Sequence, residues 1–111
     1  MNHFDVIAEF EKEFRRLFKK YKTLDDDFEK FKKILITAPT GVGKNFVIVH
    51  SSLSIKIVKA RMACRALHNR SLRIIYAYFE QEQKVDFIEI YFKGEKENED
   101  RSRIKKYLKN L

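Results

Sequence analysis

The sequence predicts an α+β domain, with two N-terminal helices over a small, mainly antiparallel sheet and one more helix at the end. Three observations predict it. First, Phe10, Phe14, Leu17, Phe18 and Tyr21 recur along one face of a helix, and Leu24, Phe28, Phe31, Ile34 and Leu35 continue at helical spacing to about residue 36. Second, Lys56–Arg65, Leu72–Phe79 and Lys84–Phe92 are β-patterned runs joined by short turns, which makes them antiparallel neighbours. Third, Ile104, Tyr107, Leu108 and Leu111 return to helical spacing.

Taken in order, Phe4–Glu9 is short, apolar and partly β-branched; it fits an edge strand or the first turn of the following helix, and the strand is favoured. The first helix follows, with Lys12, Arg15, Arg16, Lys19 and Lys20 on its polar face. Thr23 is placed as the N-cap of the second helix. Asp25, Asp26 and Asp27 fill its first turn, where each carboxylate gains about 0.3–1 kcal/mol from the helix dipole. Three adjacent carboxylates on a helix point in different directions, so a helix start is expected here rather than a metal site. Phe46–His50 alternates weakly and reads as a strand, and Ser51, Ser52 and Ser54 mark the next turn.

On the strand Lys56–Arg65, alternate side chains face opposite sides. Lys59, Arg61, Ala63 and Arg65 are expected on one face, and Val58, Ala60, Met62 and Cys64 in the core. Leu67–Ser71 is a turn. Arg73, Tyr76 and Tyr78 interrupt an otherwise apolar Leu72–Phe79. Lys84–Phe92 is nearly continuously apolar, as a central strand covered on both faces should be. The last helix has few apolar anchors and is expected to be loosely held. The helices are expected to gather on one face of the sheet.

The 111 residues make one domain, 1–111, with 44% hydrophobic residues, which is enough for a core and too many for disorder. No apolar run approaches the length of a membrane span, and the N-terminal residues lack the basic-then-apolar pattern of a secretory signal. The single cysteine, Cys64, has no partner within the chain. The expectation is a cytoplasmic protein without membrane contact. The net charge is +8 and unevenly placed: no Asp or Glu occurs between Lys30 and Phe79. A basic field of this kind fits a polyanion partner.

Thr37–Asn45, TAPTGVGKN, looks like a nucleotide phosphate loop with Lys44 as its lysine. Asn45 stands where a magnesium-binding hydroxyl belongs, and the following Phe46–Val49 is β-branched where the motif must open a helix. No phosphate loop, metal or cofactor is therefore expected.

The stretches Lys59–Ala60–Arg61, Arg73–Ile74–Ile75–Tyr76 and Phe87–Ile88–Glu89–Ile90–Tyr91–Phe92–Lys93 resemble the RelE/ParE superfamily of toxins from bacterial toxin–antitoxin systems. The helical hairpin before them is similar to the family's as well. The resemblance implies a RelE-like fold with a small curved sheet. It implies a metal-independent mRNA endoribonuclease that inhibits translation on the ribosome, in which the RNA 2′-hydroxyl attacks the adjacent phosphate. It further implies a cognate antitoxin, here expected to be acidic. By position Arg73 corresponds best, with Lys59 and Arg61 before it and Lys93 and Lys96 after it. Arg65 and Arg70 join them by charge and proximity, and with His68 and Lys96 they are the expected RNA-binding residues. Candidates for proton transfer are Tyr91, which shares the face of Lys93, and also His68, Tyr76 and a lysine of depressed pKa. Two other readings are a toxin of the same fold acting on DNA gyrase without nuclease chemistry, and a non-catalytic RNA-binding module.

Overall fold

A computed structural model of the chain describes residues 3–68 and 70–111. Residues 1–2, part of the stretch read for a leader, and residue 69, within the turn expected over 67–71, lie outside it. Strand β1 (His3–Val6) leads into helices α1 (Ala8–Lys20) and α2 (Leu24–Thr37). Four strands follow: β2 (Phe46–Ser51), β3 (Ile55–Ala63), β4 (Ser71–Phe79) and β5 (Lys84–Phe92). Helix α3 (Arg101–Lys109) ends the chain. The strands form one five-stranded sheet in the order β1-β5-β4-β3-β2, antiparallel except where β1 runs parallel to β5.

The class and element order are those expected. The edge strand is shorter than Phe4–Glu9, because Ala8 and Glu9 already belong to α1. The strand before the 3₁₀ turn Arg65–Leu67 ends at Ala63. Thr23 occupies the N-cap position of α2, but its side chain does not cap. Its hydroxyl donates to Asp27 (2.8 Å) and accepts from the Ala66 backbone N–H (3.0 Å), tying the helix start to the 3₁₀ turn.

The inner face of the sheet meets α1 and α2. Phe10, Leu17, Phe28, Phe31 and Leu35 pack there on Val58, Ala60, Met62, Cys64, Leu72, Ile74, Tyr76 and Phe87. Cys64 sits in this core as a small hydrophobe, and burial pushes its thiol pKa up.

The helices do not all gather on one face. α3 crosses the outer face, where Ile104 packs on Ile55, Ile57, Ile75, Ala77 and Ile88. Those residues alternate with the inner set along β3 and β4, so the outer face is itself apolar at one end and needs a cover. Nor is α3 loosely held. Asp100 caps it by accepting from the Arg103 N–H (3.0 Å), Tyr107 donates to Asp86, and Arg103 forks onto Glu13 of α1 at 2.8 and 2.9 Å.

One irregularity in β5 organises the rest. Ile75 pairs with Glu89 while Tyr76 pairs with Phe87, so Ile88 is bulged out of the ladder. The bulge keeps Phe87 and Ile90 both facing inward and turns Ile88 and Glu89 both outward. It also lies just past β1, whose pairing ends at Phe87. The Ile90 N–H and the Ile88 carbonyl would face open sheet edge there. Glu13 accepts the first (3.3 Å), and Arg103 donates to the second (3.0 Å).

Candidate functional site

The outer face that α3 leaves open carries the cations. Ladder pairing places Arg61 of β3 directly opposite Arg73 of β4, and Arg73 directly opposite Tyr91 of β5. Arg61, Arg73 and Lys93 line two adjoining depressions. One, of about 340 Å³, is completed by Arg70, Ser71, Phe92 and Gly94. The other, of about 290 Å³, is completed by Lys44, Asn45, Val47, Val49, Lys59, Ala60 and Glu99.

Among the described residues, Arg61, Arg73, Lys93, Lys44 and Arg70 make no ion pair with a carboxylate. Burial, together with the Arg61 charge opposite, lowers the pKa of the Arg73 guanidinium. Two facing guanidinium groups without a carboxylate repel each other, and an anion bound between them would relieve that repulsion. Arg70 lies over the Phe92 ring at 5.6 Å, which holds its charge at the rim.

The far wall is built from the loop between β5 and α3. Glu89, fully buried, accepts from the Lys96 ammonium and from the Asp100 backbone N–H (2.8 Å). Those two bonds draw residues 96–100 across the sheet and set Glu99 on Lys59, at 2.8 Å. The hydrogen bond to Glu99 outweighs burial and raises the Lys59 pKa; the same bond lowers the Glu99 pKa. Lys59 is therefore held charged, the reverse of a lysine of depressed pKa. Tyr91 lies beneath this pair, with the Lys96 ammonium 5.5 Å from its ring centroid. Its hydroxyl is buried, and burial raises its pKa. Lys59 stands near enough to couple to that hydroxyl by charge, but its ammonium bonds Glu99. The Tyr91 oxygen makes no hydrogen bond of ordinary geometry with any described residue.

The structure thus brings together Lys59, Arg61, Arg73, Lys93 and Tyr91, with Arg70 at the rim. Lys96 is at the same end but is engaged with Glu89. Arg65 lines neither of these depressions, although it shares another, of about 400 Å³ on the α2 side, with Arg61. The strand stops two residues earlier, and Arg65 turns to α2, where it bonds Asp27 (3.1 Å) and Asp26 (3.4 Å). His68 is exposed at a positive φ of 54° in the turn and lines neither depression. Tyr76 is fully buried in the inner core and donates to the Pro39 carbonyl at 2.7 Å.

Sequence reasoning missed Glu99 and Lys44. The phosphate-loop look-alike holds Lys44 at the mouth of the site, and it runs into strand β2 rather than a helix. Gly41 of this loop has φ of +74°, and a Cβ there would meet the Phe46 ring at 2.0 Å, so the loop is moulded onto the core. Glu99 carries no pattern signal, since it is one of several acids in a polar stretch; only the bulge and Glu89 single it out.

No family model matches the sequence, and no curated protein matches it. Among solved structures, the chain is similar to a chain of the archaeal RelE–RelB complex from Pyrococcus horikoshii OT3. The TM-score is 0.63 at 16% identity, over 83% of this chain and 94% of that one. A likeness at that identity is one of architecture. The chain has a RelE-like fold.

Proposed function

We propose that the protein is the toxin of a toxin–antitoxin pair and acts as an endoribonuclease on mRNA, on the ribosome, so that translation stops. The observation that carries this reading is the row of cations Arg61, Arg73 and Lys93, none in an ion pair among the described residues, in the open depressions of a RelE-like sheet. The chemistry is transesterification: the RNA 2′-oxygen attacks the adjacent phosphorus, the bond to the 5′-oxygen breaks, and a cyclic phosphate remains. Arg73 and Arg61 grip the non-bridging oxygens as forks, and Lys93 adds a point charge beside them. Donors fixed where charge develops in the transition state are often the largest catalytic term. Lys44 and Arg70 extend the positive surface along the strand of RNA. The same surface suits an acidic antitoxin, as RelE is paired with RelB in the archaeal complex.

Primer extension on a translated mRNA tests the reading. New 5′ ends are expected with the wild type and their loss with Arg73→Ala, by about 10²–10³-fold in rate. Equal cleavage by both proteins, or none by the wild type, would sink it. Binding of the RNA without cleavage would leave an RNA-binding module in its place.

A further inference from the structure

We propose that Glu99 is the general base of this site and that Lys59, bonded to it, is the general acid. The inference rests on the nuclease reading above. Glu99 is the one carboxylate lining the depression that holds Lys44, Lys59, Arg61, Arg73 and Lys93. A carboxylate weakens the hold of such a surface on RNA, yet the fold brings this one in deliberately, through the bulge at Ile88, buried Glu89 and the Asp100 N–H.

The Glu99 side chain is 8% exposed and opens on two depressions, so it is held still and remains reachable. Oε1 accepts from Lys59 at 2.8 Å, and Oε2 lies 3.8 Å from the Arg101 Nε. The groups facing it are Lys59 from β3, Arg101 and Lys105 from α3, His50 from β2, Lys44 from the preceding loop and Tyr91 from β5. They are cations or neutral groups, and they keep Glu99 ionised at neutral pH, the form a base must have, though the bond from Lys59 makes it a weaker base than a free carboxylate.

In the step, Glu99 Oε2 takes the proton of the 2′-hydroxyl as the bond from O2′ to phosphorus forms. The bond from phosphorus to O5′ breaks, its electron pair leaves on O5′, and the Lys59 ammonium supplies the proton that O5′ needs. The products are a cyclic phosphate and a 5′-hydroxyl. Glu99 then holds on Oε2 a proton that Lys59 lacks; Oε2 releases it to water, Lys59 takes one from water, and the resting pair with its 2.8 Å bond between Lys59 and Oε1 is restored. This assignment leaves the buried Tyr91 hydroxyl outside the proton path.

Single-turnover cleavage of ribosome-bound mRNA by the full chain provides the test. Glu99→Gln is expected to slow cleavage by about 10²–10⁴-fold. RNA binding should be unchanged or tighter, because a negative charge has left the surface. The wild-type rate should fall as acid protonates Glu99, and the residual rate of Glu99→Gln should lack that fall. Lys59→Arg keeps the ion pair but holds its proton too firmly to donate it, so it should melt like the wild type and cleave slowly. Cleavage by Glu99→Gln at or above the wild-type rate would show that Glu99 only occupies the phosphate site, and would overturn the proposal. An acid limb that persists in Glu99→Gln, or undiminished cleavage by Lys59→Arg, would also overturn it. A wild type that does not cleave would remove the nuclease reading itself; a cleaving wild type with an equally active Glu99→Gln would remove only this assignment.

Discussion

The outer face of the sheet has a covered end and an open end, and one arginine from each shows how they differ. Arg103, under the covered end, is 16% exposed and forks onto Glu13, itself 20% exposed; that bond raises its pKa. Arg73, at the open end, is also partly buried, but it lies opposite Arg61 and makes no ion pair with a described carboxylate, and burial lowers its pKa. A buried arginine with its carboxylate is part of the fold. A buried arginine without one is a place for an anion that the protein does not itself contain.

Exchanging the two roles gives the largest expected effects. Arg73→Ala should remove cleavage by the factor given above while leaving the melting temperature unchanged or slightly higher, since a desolvated, repelled charge is lost. Arg103→Ala strands Glu13 beside the end of β1 and frees the Ile88 carbonyl, and should cost about 2–3 kcal/mol, discounted for partial exposure. Thermal melts and cleavage assays on both variants check the contrast. An Arg73→Ala protein that melts far lower would make Arg73 structural after all.

Much of this architecture was legible in the sequence because it follows from period. The aromatic spacing in α1 and α2 and the runs of β3 to β5 each record burial on a definite side. The alternation Val58, Ala60, Met62 against Lys59 and Arg61 placed the first set in the core and the second on the outer face, as the structure has them. What was not legible depends on departures from period. The bulge at Ile88 shifts the outward set of β5 by one, so Glu89 turns to the outer face and fixes Glu99 through Asp100, eleven residues on. The end of β3 at Ala63 turns Arg65 off the cationic face. The apolar run of β5 called for cover on both faces, but nothing in the spacing of Ile104, Tyr107 and Leu108 says which face of the sheet α3 takes, so its place over Ile55, Ile57, Ile75 and Ala77 was missed.

Arg65 and Arg61 restate the comparison four residues apart. Arg65 donates to Asp27 from both its backbone N–H and its side chain, each at 3.1 Å, while Arg61 has no carboxylate partner among the described residues. Burial pushes the Asp27 pKa up, but the bonds from Thr23 and Arg65 outweigh it and hold the pKa below the ordinary 3.8. A carboxylate with a depressed folded pKa adds stability above its unfolded value and loses it as pH falls toward the folded one. Denaturant titration should therefore show stability dropping below pH 3.8, with a shallower drop in Asp27→Asn. At neutral pH that variant should be less stable by about 1–3 kcal/mol. An unchanged pH slope would mean that Arg65 is not held there in solution and is as free as Arg61.

The smallest effect is expected where the two ends of the face meet. Tyr91 pairs across the ladder with Arg73, and its ring lies under Lys96, which is fastened to Glu89. Its hydroxyl is buried and makes no hydrogen bond of ordinary geometry with a described residue, and the nearby Lys59 ammonium is engaged by Glu99. Tyr91→Phe keeps the ring as the floor beneath Lys59 and Arg73 and removes only that oxygen. Stability should stay the same or rise by up to about 1 kcal/mol, and the cleavage rate and its pH profile should be unchanged. A large fall in cleavage, with the melt preserved, would place the Tyr91 hydroxyl in the proton path. It would then belong with Arg73 at the working end of the face, because a hydroxyl left dry by the fold would be serving the substrate.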